Sequence, residues 1–510
     1  MNKNDDGKSL GNAEKSRGFY CDELPTEPQR GLDRVLVMGA SGYIGGRLVP
    51  ELLTRGYWVR AMVRVDSPEY RELWPGAEIA SADAFDYESM QTVLDNIDVV
   101  YYLIHSLVLA TRESASLEIL ASINLRDTAA IKGVKRIIYL GDLTDTIKEV
   151  PSRLANRKKV ADELKKGSVP VTVLRASVII GSGSASYEII QHLIRTLPVL
   201  PVPRWALNKC QPIAIRDVIR YLVVVLEIPA SSRKNYDICG PDTFNYLMML
   251  KIVAEILNKR RYFFRFFISH VRFYSYFAGL LTPVPAPITA VLMEGLKKEA
   301  VCRNSSIRNL LPMTLLTYKE SIVEALSREE SDEVRTRWSG AYPPAHELAS
   351  KLHEMYHDIT FSASYSLETG RSASALFKSM CSIGGREGWF HHNWMWRMRG
   401  LIDKVLLGVG TSRGRRSQTD LKINDVIDFW RIEDLKQDKR LLLRAEMKLP
   451  GKAWLDFTIT ENGVKNIMSV TPYFLTHSFV GKLYWYVLVP FHHVLFQDLI
   501  KHIEKRAPVG

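Results

Sequence analysis

Val35-Leu36-Val37-Met38-Gly39-Ala40-Ser41-Gly42-Tyr43-Ile44-Gly45-Gly46-Arg47-Leu48 decides the fold. An apolar run ends on a glycine, two more glycines follow at three-residue steps, and a helix-like pattern runs from Tyr43 to Thr54. Glycine lets the chain turn tightly and brings backbone close to a ligand with no side chain in the way. The start of a helix then presents free N–H groups and a positive dipole end to an anion. Strand, glycine turn and helix in this order predict a site for a dinucleotide pyrophosphate along Gly39, Ala40, Ser41, Gly42, Tyr43, Ile44 and Gly45. The turn specifies a ligand more than a reaction.

Outward from this turn, short apolar runs alternate with helical patterns. The runs are 34–38, 58–63, 78–80, 98–104, 136–140 and 169–175, and the helical candidates are 43–55, 86–96, 112–132 and 152–166. This alternation predicts an α/β fold with a doubly wound parallel sheet, and ligand at the C-terminal ends of the strands. Residues 176–330 mix short strands and helices and are expected to form a small substrate lobe. Residues 1–30 are expected as a flexible tail, 31–330 as the nucleotide-binding domain with its lobe, 331–358 as a polar linker containing Pro343-Pro344, and 359–510 as a second, α+β domain. In that last part, strand-like runs at 426–435, 440–449, 453–460 and 465–474 precede an aromatic helix, 480–506. Strands wrapped on a long C-terminal helix suggest a helix grip.

A chain of 510 residues exceeds one ordinary core. Its net charge is +12, and from Ile359 onward 22 Lys/Arg face 14 Asp/Glu, which suits either an anionic lipid surface or a solvated basic face. No nucleic-acid reading module is present in the pattern. The N-terminal stretch lacks the apolar core of a signal peptide. Phe273–Met293 is broken by prolines and Leu483–Gln497 is short, so neither is expected to span a bilayer. Cys21, Cys210, Cys239, Cys302 and Cys381 form no close pair, and reduced thiols in a cytoplasmic protein are expected, with peripheral contact at the inner membrane face as the second placement.

Four further positions fall where a dinucleotide would lie. Arg64 ends the second run, where an arginine pairs with a 2′-phosphate and favours NADP over NAD; Asp66, two residues on, weighs the other way. Asp83 follows the third run, near the adenine or as a helix cap. Ile104 and His105 end the fourth run and face the cleft, or His105 caps a helix.

The segments VLVMGASGYIGGRL, DVVYYLIHS and PVTVLRASVIIGSGS resemble atypical, extended members of the short-chain dehydrogenase/reductase superfamily, over about residues 33–330. That group includes nucleotide-sugar epimerases, NmrA-like regulators that bind NADP without turnover, and an accessory subunit of respiratory complex I. The resemblance implies a Tyr-x-x-x-Lys pair on the helix after the fifth strand. This chain places Arg153 and Arg157 there or, one register on, Leu154 and Lys158. Neither register supplies the tyrosine, and arginine does not deprotonate. Arg157 retains the capacity to hold ribose or phosphate. The family's Ser/Thr at the end of the fifth strand is replaced by Gly141-Asp142. Catalytic residues therefore stay unassigned, with Asp142, His105 and water as the substitutes for the proton step.

The segments from Ile383 to Gly410 and from Asp425 to Phe457 resemble an uncharacterised domain fused to such nucleotide-binding domains, related to the START/polyketide-cyclase helix-grip superfamily. The resemblance implies a cavity for an apolar molecule. Trp389, Trp394, Trp396, Trp430, Trp454, Tyr484, Trp485 and Tyr486 would wall it or fill a solid core. His391-His392 and His492-His493 do not make a metal site on their own, because neighbouring side chains diverge, and no metal is expected. Arg413, Arg415 and Arg416 would bind phosphate or lie solvated. Two functions remain open: an NADP(H)-dependent oxidoreductase acting on an apolar carbonyl, quinone or lipid-like substrate, and a non-catalytic NADP(H)-binding or redox-sensing module with an apolar ligand.

Overall fold

The computed structural model describes residues 19–64, 68–104, 112–143, 155–331, 334, 336–341, 352, 358–384, 388–389, 393–406, 408–410, 415, 421–462 and 465–508. Its first sheet is built from β1 (Arg34–Met38), β2 (Trp58–Val63), β3 (Glu78–Ser81), β4 (Val99–Tyr102), β5 (Arg136–Asp142), β6 (Val171–Ala176) and β7 (Asn235–Ile238). The order is β7-β6-β5-β4-β1-β2-β3, and every pairing is parallel. Strand order reverses between β1 and β4, which opens a crevice at their C-terminal ends.

Both faces of β1 are covered, as a parallel sheet requires. Val35 and Val37 belong to one core with Leu48, Val59 and Leu222, while Leu36 and Met38 belong to the other with Met90, Ala121 and Leu125. The period of two along the strand divides the run between two helical layers. Those layers include α1 (Gly45–Thr54), α2 (Pro68–Leu73), α3 (Tyr87–Val93), α4 (Arg112–Ile131) and α5 (Ala155–Lys165). The expected runs match the first six strands within a few residues. The short α2 was not expected, and β7, expected as a short strand of the lobe, instead joins the parallel sheet beside β6.

The lobe between β6 and residue 330 adds α6 (Ala185–Thr196), α7 (Ile215–Glu227), α8 (Tyr246–Ile256), α9 (Val271–Leu281), α10 (Ala286–Gly295), α11 (Ile307–Leu310) and α12 (Tyr318–Glu330). Pro283 and Pro285 separate α9 from α10, so Phe273–Met293 folds as two packed helices. No helix among the described residues is long and apolar enough to cross a membrane.

Cys239 and Cys302 form a disulfide, which overturns the expectation of reduced thiols at those positions. They are 63 residues apart in sequence, so spacing gave no sign of the pair. The Asp237 carboxylate at the end of β7 accepts from the backbone N–H of Arg303 (2.9 Å) and Asn304 (2.8 Å), and this holds the second cysteine beside the first. Cys21 and Cys210 are free and buried.

The second sheet is antiparallel, from β8 (Phe361–Ser362), β9 (Tyr365–Thr369), β10 (Val426–Ile427), β11 (Trp430–Lys436), β12 (Arg440–Ala445), β13 (Lys452–Asn462) and β14 (Lys465–Leu475). Its order is β8-β14-β13-β12-β11-β10, with β9 also on β14. α13 (Ala373–Met380), α14 (Asn393–Val405) and the 28-residue α15 (Phe479–Arg506) complete this part. The second half of α15 buries Leu495, Phe496, Leu499, Ile500 and Ile503 against the sheet, which is the helix-grip arrangement. The two parts touch directly. Lys404 on α14 donates to the carbonyls of Leu280 (2.8 Å) and Thr282 (3.1 Å) at the C-terminal end of α9, and burial pushes its amine down to about 8.

Candidate functional site

Gly39 leaves β1 with φ of +86°, in the left-handed region, and a Cβ there would lie 3.0 Å from the Leu103 carbonyl oxygen. At Gly45 an added Cβ would run into the Gly39 carbonyl, so the first turn of α1 packs on β1 only without a side chain. Gly42 has little but the Gly39 oxygen near it, at 3.1 Å, and its outer side is open. Gly42 N–H donates to Gly39 O and Gly46 N–H to Gly42 O, both at 3.0 Å. No side chain caps α1 at Ile44 and no acid occupies its first turn, so the positive helix end is left for an anion. This is a cradle that any Cβ would fill, and it fits a dinucleotide.

A cavity of about 280 Å³ opens from this turn. Gly39, Gly42, Tyr43, Ile44 and Gly45 wall one side, and Leu103, Gly141 and Asp142 wall the base at the ends of β4 and β5. Ala40 is fully buried behind the turn and Ser41 is partly exposed on it. Opposite lie Ile288, Val291 and Leu292 from α10 and Leu296 just after it, with Tyr246 and Trp338. Ser177, Ser184 and Ser186 supply hydroxyls on an otherwise apolar wall. The α10 wall and Trp338 were missed from sequence; helical periodicity marks an apolar face but not what it faces.

The segment around residue 336, expected as linker, is packed into this site. Arg47, 1% exposed, donates to Thr336 O (3.2 Å), Tyr43 O (3.2 Å) and Ser182 O (2.8 Å). Its guanidinium lies 4.2 Å from the centre of the Tyr43 ring. Burial pushes the Tyr43 phenol up to about 12, so it stays protonated at neutral pH. Arg337 pairs with the buried Glu188 at 2.8 Å, and Glu329 accepts from Tyr187 Oη at 3.2 Å. Burial raises both carboxyls above the usual range. Ser339 O accepts from Arg431 of the second domain at 2.9 Å, so this segment braces both parts.

Other expected residues fall further out. Arg64 directly follows β2 and is exposed, with its carbonyl accepting from Ser81 Oγ at 3.0 Å. Asp83 accepts from Phe85 N–H at 3.0 Å; the helix cap is Asp86, which accepts from Glu88 and Ser89 N–H. Ile104 follows β4 and packs partly buried on the α4-side core. His105 and Arg153 lie outside the described residues. Arg157 falls in the first turn of α5, its side chain outside the described residues, and Lys158 is exposed.

In the second domain the expected aromatic wall divides. Trp389 stacks on Trp396 with centroids 4.4 Å apart, and Trp430 lies 6.4 and 6.3 Å from the two, an aromatic cluster inside the core. Trp485 stacks on Phe361 and Phe474, with Tyr484 tilted on Phe474. Trp454 sits in a separate small cluster with Leu352, Leu442 and Leu475. Trp394 and Tyr486 turn outward, 59% and 65% exposed. Arg415 is buried and donates to the carbonyls of Ile383 and Cys381, a brace rather than an anion site. Arg413, Arg416, His391 and His392 lie outside the described residues.

A glycine turn at the switch point of a parallel sheet, feeding an uncapped helix, defines an NAD(P)-binding Rossmann domain, here joined to a distinct α+β helix-grip domain. Residues 32–259 match the NmrA-like family, and residues 355–499 match a family described as a protein of unknown function, DUF2867. Among curated proteins, the mitochondrial NADH dehydrogenase [ubiquinone] 1 alpha subcomplex subunit 9 of Dictyostelium discoideum is 24% identical over 230 residues, 43% of this chain and 62% of that one. A 3 beta-hydroxysteroid dehydrogenase/Delta 5-->4-isomerase of Mycobacterium tuberculosis is 37% identical over 71 residues, 14% of this chain and 19% of the enzyme. The chain thus spans less than two thirds of either. Among solved structures, Citrobacter sp. triphenylmethane reductase is 19% identical, with TM-score 0.48, covering 58% of this chain and 99% of its own.

Proposed function

We propose that this protein binds NADP(H) along Gly39–Gly45 and a small apolar molecule in the same cavity, with the nucleotide as a structural or redox-sensing ligand. The observation that carries this reading is the cavity itself: one wall is the glycine turn and the facing wall is the apolar side of α10 with Trp338. When bound, the nicotinamide supplies or accepts hydride. The chain's own residues bind and orient. The α1 N-terminus holds phosphate, Arg64 meets the adenosine end with a preference for a 2′-phosphate, and α10 excludes water. Asp83, Ile104, His105 and Arg157 are assigned to the same nucleotide. Residues 31–330 are taken as the nucleotide-binding unit and 359–510 as the helix-grip unit. No tyrosine occurs in α5 to move a proton.

A second reading, turnover of an apolar carbonyl, rests on Asp142, which walls the cavity at the end of β5. Purified full-length protein separates the two. The sensing reading expects stoichiometric NADPH binding and no NADPH consumption across a panel of apolar ketones, quinones and enones. Sustained consumption that Asp142→Asn abolishes would replace it with the enzyme.

A further inference from the structure

Residues 256–293, 388–402 and 462–497 hold no Asp or Glu. Each carries Lys or Arg, and each presents large apolar side chains to solvent. On the first half of α15, Phe479, Leu483, Tyr486, Val487, Phe491 and Val494 are all at least half exposed and recur on one helical face. The opposite face of that half is bound to the protein through Gly481 and Trp485. On α14, Trp394, Met398, Leu401, Ile402 and Val405 repeat the pattern. Beside α9, the rings of Phe266, Phe267, Phe273 and Phe277 touch in series, with Phe267 83% exposed. α14 packs on α9, so these last two patches adjoin.

Asp403 of α14 is buried, and the exposed charges on α9, α14 and the first half of α15 are cationic. Arg265, Arg272, Arg397 and Lys482 are exposed on these same segments, and among the described residues none of these four pairs with a carboxylate, whereas Arg399 of α14 lies 3.9 Å from Asp403. A face meant only to bury apolar area against protein does not need unpaired cations at each element. A second copy of the chain, at +12, would bring like charges together. An anionic bilayer surface satisfies both features, taking apolar side chains into its interface and matching cations with headgroups.

We propose that the protein docks peripherally on an anionic lipid surface through α14, the first half of α15 and the aromatic strip beside α9. Docking is independent of what the cavity holds. The test is co-sedimentation of the purified full-length chain with phosphatidylcholine vesicles and with vesicles one third phosphatidylglycerol. The proposal expects binding to the anionic vesicles only, lost in high salt. A Leu483→Glu/Val487→Glu variant and an Arg397→Glu/Lys482→Glu variant should each lower the bound fraction about tenfold while melting with the wild type. All four side chains are exposed, so folding is spared. Equal binding to neutral vesicles, indifference to both variants, or self-association that the first variant abolishes without any vesicle binding would each overturn it.

Discussion

In the parallel sheet, β1 is buried on both faces and opens at its end into a cavity whose far wall is apolar. In the antiparallel domain, Trp389, Trp396 and Trp430 pack on one another, and the surplus apolar side chains of α14 and α15 point to solvent. Both regions are aromatic, yet one encloses its apolar surface around a glycine turn and the other displays it beside lysines and arginines. Composition alone does not separate a ligand pocket from a docking face. What separates them is where the backbone bends away from contact: at Gly39–Gly45 it leaves a space inside, and along α15 it leaves a face outside.

The largest effect should come from the turn. Gly45→Val pushes a side chain onto the Gly39 carbonyl and should cost about 3 kcal/mol of stability along with nucleotide binding, read by thermal unfolding and NADPH titration. Gly42→Asp, whose Cβ meets only the Gly39 oxygen at 3.1 Å, should lose binding with a much smaller fall in melting temperature. If Gly45→Val melts like the wild type, the close packing of α1 on β1 is wrong.

The next effect lies under α15. His492 sits between Trp485 and Phe496, and burial pulls its imidazole down to about 4. A histidine unfolded near 6.5 then stabilises the fold fully above that pH, and the contribution fades as pH falls from about 6.5 to 4, by up to about 3 kcal/mol. His492→Phe should flatten this acid limb of a melting-temperature profile. An unchanged profile would mean that the first half of α15 is not held against the sheet as described.

A smaller effect should sharpen the cavity side. Leu292→Trp narrows the wall opposite the turn and should weaken any co-purifying apolar ligand while leaving NADPH affinity within about twofold, a loss of under about 1 kcal/mol. Smallest, Arg64→Ala should weaken NADPH about tenfold more than NADH, the share of one exposed charge-assisted contact. Equal losses would remove the 2′-phosphate assignment.

Much of this was legible in the sequence, and for definite reasons. A buried run followed by glycines at three-residue steps constrains backbone locally, so β1, the turn and α1 are fixed by neighbours in the chain. The four long runs of the second domain likewise declare themselves by their alternation. What stayed hidden depends on contacts distant in sequence. β7 reads as a lobe strand until it is paired with β6, and Cys239 meets Cys302 where Asp237 and Gln211 gather the segment after residue 300. Residues 334–339 read as polar linker, yet Trp338 walls the cavity and Thr336 lies on α1. Asp86 rather than Asp83 caps α3, a three-residue choice that composition does not make.

The glycine turn is proposed as the nucleotide's seat. Calorimetric titration of NADPH into the full-length protein and into Gly42→Asp tests this most directly. One site per chain is expected in the wild type, and no detectable heat of binding in the variant. Absence of binding in the wild type, or wild-type affinity in Gly42→Asp, would contradict it.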